Sequence, residues 1–137
     1  MSTSENKTIV RHFWEDGYNN RNLDLMDQLL TADYIHHSNK TPMDRAAFRE
    51  AAEGFQRSFP DSRVKIEHLI EEQPLVVVRW WFTGTHTTET EMWGAPTHTV
   101  LSFPSTWICQ LADGKIREDW ETWDTLPVAD RLRLPVL

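Results

Sequence analysis

The sequence has little of several things, and each shortage narrows the reading. It has one cysteine, Cys109, so no internal disulfide can form. Cys109 sits in an apolar run and reads as a small core residue rather than a nucleophile. Its five glycines are scattered, without the spacing of a phosphate-binding loop. There is no run of lysine or arginine, and 14 basic residues against 21 acidic ones give a net charge of −7. That balance argues against a nucleic-acid partner and against an anionic membrane surface. No apolar run is long enough to span a bilayer, and the polar start "MSTSENKT" lacks the apolar stretch of a secretory leader. The expectation is a cytoplasmic protein, in which the N-x-T matches at Asn6 and Asn39 are coincidental. The histidines fall at 12, 36, 37, 68, 86 and 98, with no H-x-H or H-x-x-x-H spacing, so no metal site is expected. A serine hydrolase would need a nucleophile elbow, and none occurs.

What is abundant is tryptophan, seven in 137 residues, mostly in the second half. So much aromatic surface predicts a wide aromatic-lined interior or interface. The length fits one domain, residues 1–137.

Two regimes follow one another. Val10, Trp14 and Tyr18 recur at helical spacing, flanked by Ile9 and Phe13, in a helix beginning near Ser2 or Ser4 and ended by Gly17 and "NNRN". A short helix in "LDLMDQLL" would turn Leu25, Leu29 and Leu30 inward, and "TADYIHHSN" reads as turn-like. A third helix is predicted from "TPMD", capped by Thr41, with Phe48, Ala51, Ala52, Phe55 and Phe59 on its apolar face and Pro60 as its stop. The remainder is strand-like: "RVKIEHLI", with Val64, Ile66 and His68 on one face, then "PLVVVRWWFTGTHT", "PTHTVLSFPSTWICQL" and "KIREDWETWD". Three helices and then about four strands, without βαβ alternation, predict an α+β fold with helices on one face of a strongly curved, mostly antiparallel sheet.

The segment "KIREDWETWD" carries Glu118, Asp119, Glu121 and Asp124 around Trp120 and Trp123. With Asp113-Gly114 as a two-residue turn, regular pleating pairs Leu111 with Ile116, Trp107 with Trp120 and Phe103 with Asp124. Glu118 and Asp124 would then face the helices, and Asp119 would face outward. One bulge reverses that assignment.

The ordered set "YNNRNLDLMDQLLTADYIHHSN", "FPDSRVKIEHLI", "VVVRWWFTGTHT", "GAPTH" and "ADGKIREDWETWD" resembles the SnoaL-like polyketide cyclase family of the NTF2-like superfamily over nearly the whole chain. The resemblance implies a cone-shaped barrel. A curved sheet wraps the first helix and leaves a deep pocket for a small hydrophobic molecule, and many members form homodimers through the outer sheet face. It also implies cofactor-independent aldol ring closure, in which an acidic residue of the last long strand acts as general acid/base near a histidine. Asp119 matches that acid best, then Asp124, then Glu118. His37 and His86 match the histidine positions.

The same residues carry plainer readings. Asp119 can be a solvated acid, Asp124 a cap for "DTLPVADRL", and His37 and His86 structural tethers. Trp14, Tyr18 and Trp120 are pocket walls or simply core, and Trp93 with Met92 is the tip of a lid in "TTETEMWGAPTH". Arg79 would orient a carboxylate, bind an anionic group or form a buried ion pair. The same scaffold also serves related isomerisation or hydration, non-catalytic ligand binding, and epoxide hydrolysis, which calls for an Asp-Arg-Asp set that Arg79 with Asp119 or Glu121 matches only in part.

Overall fold

In the computed structural model the described residues are 4–134. Helix α1 (Glu5–His12) is capped by Ser4, whose side chain accepts from the backbone N–H of Lys7. Ser2, the other candidate cap, lies outside the described residues. The helix runs on as a π-helical segment, Phe13–Tyr18, in which Phe13, Trp14, Gly17 and Tyr18 are all buried. The wider turn broadens the aromatic face that the 3.6-residue spacing already implied. At Gly17 a Cβ would lie 2.6 Å from Met26 Cγ, so the missing side chain lets helix α2 (Leu23–Gln28) come close. Within this helix Met26 is the buried residue; of the leucines predicted to turn inward, Leu30 is buried at the start of the next strand, Leu29 packs against the core and Leu25 is only partly covered.

Strand β1 (Leu30–His37) occupies the segment read from sequence as turn-like. After the two-residue strand β2 (Met43–Asp44) comes helix α3 (Arg45–Ser58), capped by Asp44 and not by Thr41. The long strands are β3 (Arg63–Glu72), β4 (Leu75–Thr85), β5 (Val100–Ala112) and β6 (Lys115–Thr122), and helix α4 (Thr125–Leu132) ends the described chain. The six strands lie in the order β2-β1-β6-β5-β4-β3. All neighbours are antiparallel except β1 and β6, which run parallel. The α+β cone expected from sequence is therefore present, with two more strands and one more helix than predicted.

The β5–β6 hairpin decides which acids point inward. Asp113 and Gly114 both have positive φ, and Ala112 pairs with Lys115, so the turn has two residues as expected. Leu111 pairs with Ile116, also as expected, but the next pair is Gln110 with Glu118. One extra β6 residue is accommodated there, and every later side chain changes face. Trp107 consequently lies opposite Glu121, and Cys109 opposite Asp119. Regular pleating had sent Asp119 outward; the bulge brings it inside.

Candidate active site

Two strands that are distant in sequence build the polar centre. On β1, Tyr34 and His36 point inward at the two-residue period, and both are buried. On β6, Asp119 and Glu121 do the same beside them, because the parallel register sets His36 against Asp119. Asp119 is 1% exposed. Its Oδ2 accepts from the Tyr34 hydroxyl at 2.6 Å, and its Oδ1 accepts from His36 Nδ1–H at 2.6 Å. On the far edge of the same imidazole, Nε2 lies 3.4 Å from Glu121 Oε1. The ring stacks on Trp107 at 4.6 Å.

Burial alone would lower the basicity of His36. The hydrogen bonds and charges of Asp119 and Glu121 outweigh it and raise the imidazole to about 9. At neutral pH His36 is therefore an imidazolium held between two carboxylates. Burial pushes Asp119 upward while the hydrogen bonds from His36 and Tyr34 oppose it. We read Asp119 as the ionised partner of His36, because it accepts two donors and has no other way to satisfy both oxygens.

The centre opens on a cavity of about 130 Å³ walled by Trp14, Phe48, Trp80 and Trp107, with the His36 imidazole and the Glu121 carboxyl group also on its wall. A cavity of about 150 Å³ holds one benzene ring in water-free surroundings. The enclosed part here is therefore suited to one ring, with room continuing through a mouth bordered by the exposed Lys40 and Met92. Asp119 is not part of the cavity wall. It stands behind His36 and reaches the cavity only through that ring.

The predicted residues fall into two groups. Trp14, Tyr18 and Trp93 are cavity-lining, with Tyr18 bonded to Ser62 Oγ at 2.9 Å and its phenol pushed up to about 12 by burial. Apart from Asp119, which stands behind His36 in the polar centre, the remaining candidates lie elsewhere. His37 points outward, because it neighbours His36 in an extended strand, and it bonds Glu118 Oε2 at 2.6 Å while stacking on Trp120. Glu118 and Trp120 are thus outer-face residues too, placed there by the same bulge that turns Asp119 in. Asp124 is exposed and caps α4. Arg79 alternates out from Trp80 and pairs with Glu67 at 3.6 Å, so no Asp-Arg-Asp arrangement forms around it. His86 is buried against Phe59 and takes the backbone N–H of Thr97 on Nδ1, which makes it a tether of the 86–99 loop outside the cavity wall.

Sequence reasoning missed Tyr34 and His36 as site residues, and considered Glu121 only as a partner of Arg79. Glu121 follows from Asp119 by the strand period of two, once the bulge is known. Tyr34 and His36 required the recognition of β1. Among the described residues no group of three or more His, Cys, Asp and Glu is arranged to hold a metal ion. Nor is any helix long and apolar enough to cross a membrane.

Comparison with known proteins agrees with this architecture. The family profile of SnoaL-like polyketide cyclases matches residues 8–132. AclR of Streptomyces galilaeus, a candidate hydroxylase, superposes with a TM-score of 0.85 at 25% identity, covering 98% of this chain and 100% of that one. A candidate SnoaL-like polyketide cyclase from Jannaschia sp. CCS1 gives 0.85 at 19% identity, with 98% and 99% covered. IdmH of Streptomyces antibioticus, a candidate polyketide cyclase, gives 0.81 at 21% identity, with 96% and 100% covered. A search among curated proteins returns no match.

Proposed function

Because the chain belongs to the SnoaL-like polyketide cyclase family, we propose that it closes a ring in a hydrophobic, carbonyl-rich substrate by intramolecular aldol addition, without a cofactor. The observation that carries this reading is the buried imidazole of His36, fixed by Asp119 at 2.6 Å and facing Glu121 across the edge of an aromatic cavity. Aldol closure requires a proton taken from carbon beside a carbonyl and a proton given to the new alkoxide. Glu121, the carboxylate on the cavity wall, takes the first. The Nε2–H of His36 supplies the second and stabilises the oxyanion as it develops. The carboxylic acid of Glu121 then returns its proton to His36 across the 3.4 Å gap. The sum is an isomerisation, so atoms and protons balance. Asp119 keeps Nδ1 protonated and fixes the ring without itself touching substrate.

The dry aromatic wall adds two effects. It strengthens these charge interactions, and it excludes water that would compete for the enolate. Trp14, Tyr18 and Trp93 shape the space that holds the folded chain of the substrate.

On the outer sheet face, Ile70, Val77, Ile108 and Trp120 stand in register across β3, β4, β5 and β6. Ile70 is 61% exposed. A continuous apolar row across a sheet face suits a second copy of the chain, and a homodimer is the assembly we assign to it.

The test is turnover of a panel of poly-β-ketone methyl esters, following isobaric or dehydrated cyclic products by mass spectrometry. His36→Gln, Asp119→Asn and Glu121→Gln should each lower turnover at least a hundredfold. Full activity in all three would rule out this acid/base reading.

A further inference from the structure

Ser105 is out of place by composition. The inward row of β5 reads Leu101, Phe103, Ser105, Trp107, Cys109, Leu111, and Ser105 is 1% exposed within it. A buried hydroxyl is retained at low cost only when it is hydrogen-bonded. Ser105 Oγ lies 3.0 Å from Trp107 Nε1 and 2.8 Å from Glu121 Oε2.

The direction of this relay is fixed by chemistry. An indole N–H can only donate, so Ser105 must accept from Trp107. Its own proton is then free for one acceptor, and the geometry directs it to Glu121 Oε2. A proton on Oε2 would meet the Ser105 proton head-on. The two oxygens of Glu121 are therefore inequivalent: Oε2 is occupied by a donor, and Oε1 faces His36 Nε2.

We propose that Ser105, oriented by Trp107, is a positioning residue that makes Oε1 of Glu121 the proton-accepting atom of the site. This rests on the reading of Glu121 as the base. Without Ser105 the carboxylate can rotate and present either oxygen, and the fraction of time in which Oε1 is aligned with both substrate and His36 falls. Binding of an apolar ring to the aromatic wall does not depend on that alignment, so the loss should appear in kcat and not in KM.

The probe is 5-nitrobenzisoxazole, a flat bicycle whose isoxazole ring suits the enclosed one-ring cavity while its nitro-substituted ring extends toward the mouth. Glu121 Oε1 takes the C3 proton, the C–H electron pair completes the nitrile, and the N–O bond breaks to leave a coloured phenolate facing the Nε2–H of His36. The acid proton of Glu121 then passes to solvent, so the step balances. For Ser105→Ala, with an unchanged melting temperature, kcat should fall about tenfold while KM stays within about twofold. Ser105→Thr, which keeps the hydroxyl, should recover most of that rate. A kcat of Ser105→Ala within twofold of the wild type, or a Ser105→Thr as slow as Ser105→Ala, overturns the positioning role. Glu121→Gln at the wild-type rate overturns the assignment of the base itself, and the positioning role with it.

Discussion

Asp119 Oδ1 and His36 Nδ1 lie 2.6 Å apart in a fully buried setting, joined across a parallel strand pair by residues 83 positions apart in sequence. Neither group would be stable there alone. A lone buried carboxylate would take up a proton, and a lone buried imidazolium would lose one. Together they hold a positive edge, Nε2–H, on the wall of an apolar cavity at neutral pH. The chemistry proposed for this site depends on that edge being charged at working pH.

A direct check is the titration of His36, followed by the nitrogen shifts of its ring. In the folded wild type it should titrate near 9. Asp119→Asn removes both the strongest hydrogen bond and the nearest charge, so the midpoint should move down toward or below the ordinary histidine value of about 6.5. A midpoint that stays near 9 in Asp119→Asn would mean that Asp119 does not hold the charge.

The same shift has a consequence for stability. The folded value of His36 is raised above its unfolded value, so its contribution is fully present below about 6.5 and is lost as pH rises through about 9. Urea midpoints of the wild type should therefore fall between pH 7 and pH 9.5. His36→Gln should be less stable at pH 7 and show a flatter profile over that window. Parallel profiles for the two proteins would contradict the linkage.

Tyr34 gives a prediction that separates positioning from packing. Its hydroxyl donates to Asp119 Oδ2 at 2.6 Å, and its ring packs edge-on against Phe48. Tyr34→Phe keeps the ring and strips one donor from a buried carboxylate, which should cost about 1–3 kcal/mol of stability in urea unfolding. An unchanged urea midpoint would show that Asp119 does not depend on this bond.

How much of this was legible in the sequence differs by element. The helical stripe of Val10, Trp14 and Tyr18, the β-branched and aromatic run of β4 and the Asp113-Gly114 turn are local patterns, and each appears as read. The bulge in β6 leaves no mark in composition, because Arg117 and Glu118 suit either face of a wet strand. Strand β1 was hidden for a related reason: Thr31, Asp33 and the two histidines look like loop residues until β6 provides a pairing edge. His36 and His37 could not be ranked without that register. Their opposite faces follow from it at once.

The outer apolar row makes a prediction about assembly. Ile108 and Trp120 are opposite one another in it, and each is exposed by a little over a third. Placing a carboxylate there sets like charges across any two-fold contact. Ile108→Glu should halve the mass measured by light scattering while leaving the circular dichroism spectrum intact. A wild type that is already monomeric at high micromolar concentration would remove the dimer.

His86 supplies a prediction of opposite sign, on the loop that carries Trp93 to the cavity. Burial lowers its imidazole below the usual value. Its Nδ1 accepts the Thr97 backbone N–H at 3.3 Å, and its backbone N–H and carbonyl pair with Thr99 and His98. Protonation would place an N–H against the Thr97 N–H, leaving only Thr97 Oγ1 at 3.2 Å as a partner for Nδ1, and so weaken the tether. The folded value is depressed, so the stabilisation is present above about 6.5 and is lost as pH falls toward the lower folded value. Amide exchange at Thr97, corrected for intrinsic rate, should therefore accelerate between pH 6.5 and pH 5 more than exchange at the centre of β5. His86→Gln can accept at the same place without titrating, and should remove the acceleration. Equal pH dependence in wild type and His86→Gln would place the control of this loop elsewhere.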